Sequence, residues 1–204
     1  MLIEKQTHHD WEEIVRAEVA RWTPSKKGAG HRAEKMWKQA RSALAEAERV
    51  GHSAVRDAAP VLRTALTETS EAVHGFRKQP YACGDPRILL GAELFDRVCQ
   101  GLYEEEEFIA FASAMIQECD LEMGEIWAFK PALQLVLLRR VAEGANDELV
   151  AVEPSVEALR LLGETPWKEL FESLNPVDAI LSRDPVYPSM EYESRDQYRQ
   201  QVAK

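Results

Sequence analysis

Along most of this chain the apolar residues recur every three or four positions, the spacing of helices that bury one face. Trp11, Ile14, Val15 and Val19 predict a first helix over 10–22. Met36, Trp37, Ala40, Leu44 and Ala47 predict a second over 31–50, with Gly51 as its stop. Leu62, Ala65, Leu66, Thr69 and Val73 carry a third over 55–76. Prolines then punctuate the chain at Asp85-Pro86, Glu153-Pro154, Thr165-Pro166 and Asn175-Pro176. Each suits a first helical turn, where the missing N–H would have had no partner. Further helices are predicted at 85–102, 104–118, 121–143, 154–162, 165–174, 176–183 and 189–203. Strand alternation is almost absent. The expected fold is all-α, a multi-helix bundle or short solenoid-like stack of about ten helices.

The helix over 121–143 should be the centre of that fold. From Ile126 to Leu138 only Lys130 and Gln134 are polar, and a helix apolar on nearly every face is one packed all round. A membrane span is the rival reading, but it needs about 20 apolar residues. Glu122, Glu125, Arg139 and Arg140 flank this run too closely, and Pro131 should kink it. The segment 23–30, TPSKKGAG, has the composition of a loop or linker. The organisation expected is an N-terminal helix over 1–22, this linker, and a helical domain over 31–204 that ends in a polar connector helix, 189–203.

Composition narrows the function classes. In 204 residues, 25 Lys and Arg stand against 35 Asp and Glu, a formal net charge of -10. That argues against a nucleic-acid binder, which needs a basic face to displace counterions. Cys83, Cys99 and Cys119 are odd in number and form no C-x-x-C pair, so reduced thiols and a cytoplasmic setting are expected. The N-terminus has no basic stretch followed by an apolar run, and no export signal is expected.

Candidate chemistry is sparse. His8-His9-Asp10 lacks a second cluster to complete a metal site and reads as solvated terminal residues. Glu104 to Glu107 open a helix, where acidic groups favour the positive end of the dipole. Trp11, Trp22, Trp37, Trp127 and Trp167 fall one per helix, as core anchors do. In the terminal helix, Glu191 with Arg195 and Asp196 with Arg199 are spaced as surface ion pairs. No catalytic residue, cofactor or metal site can be assigned.

Three ordered segments nonetheless form a pattern. Asp184, Pro185, Val186, Tyr187, Met190, Arg195, Asp196, Tyr198 and Arg199 match a motif of the form DPAGVYxxMDFxTRDRYR, without its Ala-Gly. Gly124-Glu125-Ile126-Trp127-Ala128, then Leu133 to Arg140, match GELWALPxMLRLALIENLRR. Trp167 to Leu174 match DWxxFVExLS. Weaker similarity reaches upstream through Asp85-Pro86-Arg87 and Asp57-Ala58-Ala59-Pro60 to about Met36. In these segments the chain resembles the helical region that precedes the glycosyltransferase domain of cyclic β-1,2-glucan synthases.

The resemblance implies a non-catalytic helical scaffold or regulatory domain. Its partner would be a downstream transferase domain of the same chain, or another protein. The parent enzyme would make β-1,2-glucan from UDP-glucose at the cytoplasmic face of the inner membrane. Gly124, Glu125, Trp127, Trp167, Asp184, Pro185, Tyr187, Arg195, Asp196, Tyr198 and Arg199 are the motif or interaction candidates. Two alternatives stand beside it, a free-standing helical protein–protein adaptor and a carbohydrate-binding domain.

Overall fold

A computed structural model of the chain describes residues 9–25, 32–147, 150–174 and 180–202. Among them are eleven α-helices: α1 (Trp11–Val19), α2 (Arg32–Arg49), α3 (Ser53–Asp57), α4 (Ala59–Ala72), α5 (Arg87–Cys99), α6 (Glu105–Cys119), α7 (Met123–Trp127), α8 (Phe129–Gly144), α9 (Glu153–Glu164), α10 (Trp167–Leu174) and α11 (Tyr192–Val202). The fold is all-α. The chain divides into two compact units, Met1–Thr165 and Pro166–Lys204.

In the first unit α8 is the centre, packed against α2, α4, α5 and α9. Neighbours on so many sides require apolar groups all round, and Phe129, Leu133, Leu135, Val136, Leu138 and Val141 are buried. The single helix expected over 121–143 is in fact two, α7 and α8, which meet at Ala128. Pro131 accounts for the break. In a continuous helix its ring would clash with the Trp127 carbonyl and leave that oxygen without a donor. As third residue of α8, its missing N–H falls where no intrahelical acceptor exists. The helix expected over 55–76 divides in the same way, into α3, α4 and a 3-10 turn at Gly75–Lys78. Pro60 takes the second position of α4.

α5 begins at Arg87, two residues later than expected. Asp85–Pro86 form the second strand, β2, of a hairpin whose first, β1, is Tyr81–Ala82. The two turn residues, Cys83 and Gly84, have φ of 53° and 87°. Positive φ at both is the twist that a two-residue hairpin needs. Strands this short show no alternation, so the sequence gives no sign of them. Pro24 bridges to Ala82 and ties part of the predicted linker to the hairpin. Residues 26–31 lie outside the described residues.

α1 is capped by Asp10, whose carboxylate accepts from the Glu13 N–H at 3.1 Å. It packs on α6. Trp11 is an anchor there, 3% exposed, its ring 5.4 Å from Phe95 and 5.1 Å from Phe111. Trp127 breaks the core-anchor expectation: it is 44% exposed, because the end of α7 turns it outward. Trp22, Trp37 and Trp167 are half-buried.

In the second unit, α10 contributes buried Leu170, Phe171 and Leu174. Most of the expected helix 176–183 lies outside the described residues. The connector helix predicted over 189–203 starts later, as α11, after a 3-10 turn at Tyr187–Ser189. Pro188 allows that tight turn but cannot extend it.

Candidate functional site

Two of the sequence segments that carry the resemblance meet in one buried ion pair. Arg87 opens α5 directly after β2, and Glu125 sits in the first turn of α7. The Arg87 guanidinium donates through Nε to Glu125 Oε1 at 3.0 Å and through Nη2 to Oε2 at 2.6 Å. Its Nη1 donates to the Cys119 carbonyl at 2.8 Å, which ties in the end of α6. Glu125 is fully buried, and its Oε2 also accepts the Glu122 N–H at 3.0 Å. A bidentate pair with every neighbour satisfied joins three helices. The Gly124 carbonyl accepts from Gln79 Nε2 at 3.1 Å, which anchors the same turn to the segment after α4.

At the other end of α5 a second pair is looser. Arg140 Nη1 donates to Asp96 Oδ2 at 3.3 Å, and Nη2 to Gln100 Oε1 at 2.9 Å. Asp96 Oδ1, Arg140 Nε and the Ser155 hydroxyl are buried without hydrogen-bond partners. Burial pushes the Asp96 carboxyl above its ordinary value, against the opposing pull of Arg140 and Arg139. Gly101, with φ of 84°, is required here. A Cβ on it would fall 2.6 Å from Ser155 Oγ and 2.9 Å from Arg140 Nε.

The acidic run at the start of α6 does more than face the positive end of the helix dipole. Glu105 and Glu106 are exposed, but Glu107 is buried and its Oε2 accepts from Trp11 Nε1 at 2.6 Å. His9 Nδ1 lies 3.0 Å from the same oxygen. His9 and Asp10 are therefore structural: one pairs with Glu107, the other caps α1. His8 lies outside the described residues. Its spacing marks it, since Glu107 stands four residues before Phe111 on the face of α6 that is buried.

In the second unit the motif residues hold one another. Tyr187 is buried, its ring 6.2 Å from that of Tyr198. Asp184 Oδ1 accepts the Val186 N–H at 2.8 Å across exposed Pro185, an Asx turn that sets up the 3-10 turn. Arg195 pairs with Glu172 of α10 at 3.1 Å rather than with Glu191. Trp167 lies 5.2 Å from Phe171. Asp196 and Arg199 are on α11, and their side chains lie outside the described residues.

The cysteines are free thiols, Cys83 exposed and the other two buried. Burial pushes Cys99 up to about 12, with Glu107 and Asp96 adding to it, and Cys119 up to about 11. Neither buried thiol supplies a thiolate nucleophile near neutral pH. Among the described residues no group of three or more His, Cys, Asp or Glu is placed to hold a metal ion. No described helix is long and apolar enough to cross a membrane. Comparison of the chain with protein-family models, curated proteins and solved structures found no match.

Proposed function

We propose that this chain is a non-catalytic helical scaffold or regulatory domain of a cyclic β-1,2-glucan synthase-like protein. The parent would polymerise glucose from UDP-glucose at the cytoplasmic face of the inner membrane, and the transferase domain would be this domain's partner. The supporting observation is how the motif residues are used. Arg87 and Glu125 come from two quoted segments and bind each other. Arg195 takes Glu172, and Tyr187 is buried beside Tyr198. Side chains engaged in this way position helices rather than contact a substrate.

The test is to express the longer reading frame with and without residues 1–204 and to measure glucan synthesis in membranes. Lost synthesis at normal protein level is the expected result, and unchanged synthesis would overturn the role. The purified chain is expected to transfer no glucose from UDP-glucose; turnover would sink the non-catalytic reading. A second reading, a free-standing adaptor, is favoured by Met123 and Trp127. They are 37% and 44% exposed and stand four residues apart on α7. If no longer frame exists and Trp127→Ala abolishes a partner complex, that reading replaces the first.

A further inference from the structure

Acids outnumber bases 35 to 25 in this chain, yet four cations of the first unit have no carboxylate partner. They are Lys35, Lys38 and Arg41 on α2, and Lys78 in the 3-10 turn after α4, all exposed. Among the described residues of that unit, every other Lys and Arg is within ion-pair distance of an Asp or Glu.

Three of the four form a stripe. Positions 35, 38 and 41 succeed one another at nearly one turn, over roughly 9 Å of helix. No carboxylate stands three or four residues from Lys35 or Arg41. Glu34, four residues before Lys38, is engaged by His74 and Arg77. That contact also brings the turn carrying Lys78 to the same side of α2. Arg41 is held in place: its Cζ stands 4.6 Å over the Trp37 ring, and Trp37 Nε1 donates to the Leu66 carbonyl at 3.1 Å. Stacking of this kind leaves the N–H groups at the guanidinium edge free for an anion.

The shape of the stripe selects its partner. Cations a turn apart on a convex helix do not converge on one small anion. A protein partner needs an apolar centre to hold it, because each exposed ion pair contributes less than about fivefold in affinity. Beside this stripe stand exposed Gln39 and Ser42 and the half-buried Trp37, so no such centre is present. A layer of anionic lipid headgroups requires neither a cleft nor an apolar centre. Its charges move to meet the protein, and each nearby cation raises partitioning by about fivefold.

We infer that Lys35, Lys38, Arg41 and Lys78 dock the chain on an anionic lipid surface, with α2 lying along it. The excess of acid elsewhere is screened beyond about 10 Å in 0.1 M salt, and it opposes every other orientation. This inference does not depend on the proposed scaffold role, because the chain alone should bind.

The test is co-sedimentation of the full chain with phosphatidylcholine vesicles, either pure or containing one-third phosphatidylglycerol. Partitioning onto the anionic vesicles should exceed that onto the neutral ones by about a hundredfold. The preference should vanish between about 0.1 and 1 M salt, as the Debye length falls from about 10 to 3 Å. Lys35→Gln combined with Lys38→Gln should weaken binding about twenty-five-fold and leave the thermal melt unchanged. Arg56→Gln combined with Arg160→Gln removes the same charge from exposed, ion-paired positions and should change binding by less than about twofold. An equal loss in that control, or equal binding to neutral vesicles, would overturn the stripe as the docking surface. Tighter binding to a DNA duplex or to a polyglutamate peptide than to the vesicles would overturn the lipid assignment.

Discussion

The two ends of α5 carry the same kind of contact with opposite quality. At its start, Arg87 meets Glu125 through two bonds and reaches the Cys119 carbonyl with a third. At its end, Asp96 meets Arg140 through one bond of 3.3 Å, and three polar atoms around Gly101 lack partners. Both carboxylates are buried, at 0% and 6% exposure, so burial alone does not separate them. The difference lies in what surrounds each charge. A buried ion pair offsets its desolvation only when the remaining lone pairs and N–H groups are also satisfied. The first end of α5 meets that condition and the second does not. The fold is therefore expected to be rigid around β2, α5 and α7, and easier to open where α5 meets α8 and α9.

The largest effect expected from that contrast is at the satisfied end. Glu125→Ala leaves the half-buried Arg87 guanidinium without its carboxylate and should cost about 3 kcal/mol, read by urea denaturation. A loss below about 1 kcal/mol would mean that water reaches Arg87 and the pair is not buried in solution. Arg140→Met should cost less, about 1–2 kcal/mol, because Asp96 can take up a proton once its partner is gone. Equal costs for the two variants would erase the distinction between the ends.

Thiol chemistry sharpens the same contrast. Cys83 should react with iodoacetamide first, since it is exposed. Of the buried pair, Cys99 at the loose end should outpace Cys119, whose carbonyl is held by Arg87, through local opening. A ratio of about tenfold corresponds to 1.4 kcal/mol between the two openings. The reverse order would place the weak point elsewhere.

The smallest effect is that of Asp96→Asn, expected within about 1 kcal/mol of the parent at neutral pH. Because burial raises the folded carboxyl above its unfolded value, the folded state holds more protons in the window between the two. Stability should therefore fall as pH rises from about 3.9 through the raised folded value, and stay at the lower level above it. Asp96→Asn should flatten that part of the stability–pH curve. An unchanged curve in the variant would remove Asp96 as its cause.

Much of the fold is legible along the chain, because helices are local. The period of three to four residues placed α2, α6 and α9 within two residues of their ends. Proline chemistry also anticipated a disturbance at Pro131, although it appears as a break rather than a kink. The hairpin at Tyr81–Pro86 escaped because two-residue strands leave no alternation to read. Trp127 escaped because its exposure follows from the end of α7, which depends on the break that Pro131 imposes.

The site is far less legible. Arg87 and Glu125 are 38 residues apart, and Trp11 and Glu107 are 96 apart. Residue type does not separate Glu107 from Glu106, and only the four-residue spacing to Phe111 places the first on the buried face of α6. Arg195 stands four residues from Glu191, a good helical spacing, yet it pairs with Glu172 on another helix. Local spacing makes a pair available, whereas packing decides which partner excludes more water.

By itself, then, the sequence determined the helical class, the punctuation of helices by proline and the apolar core helix α8. Each depends on neighbours within a few turns and leaves a periodic mark. Which charges are buried, and which of those are satisfied, was decided only by packing in the folded chain. Those outcomes depend on chain segments far apart in sequence, brought together by burial of apolar faces, and charge pairing between them has no period to read.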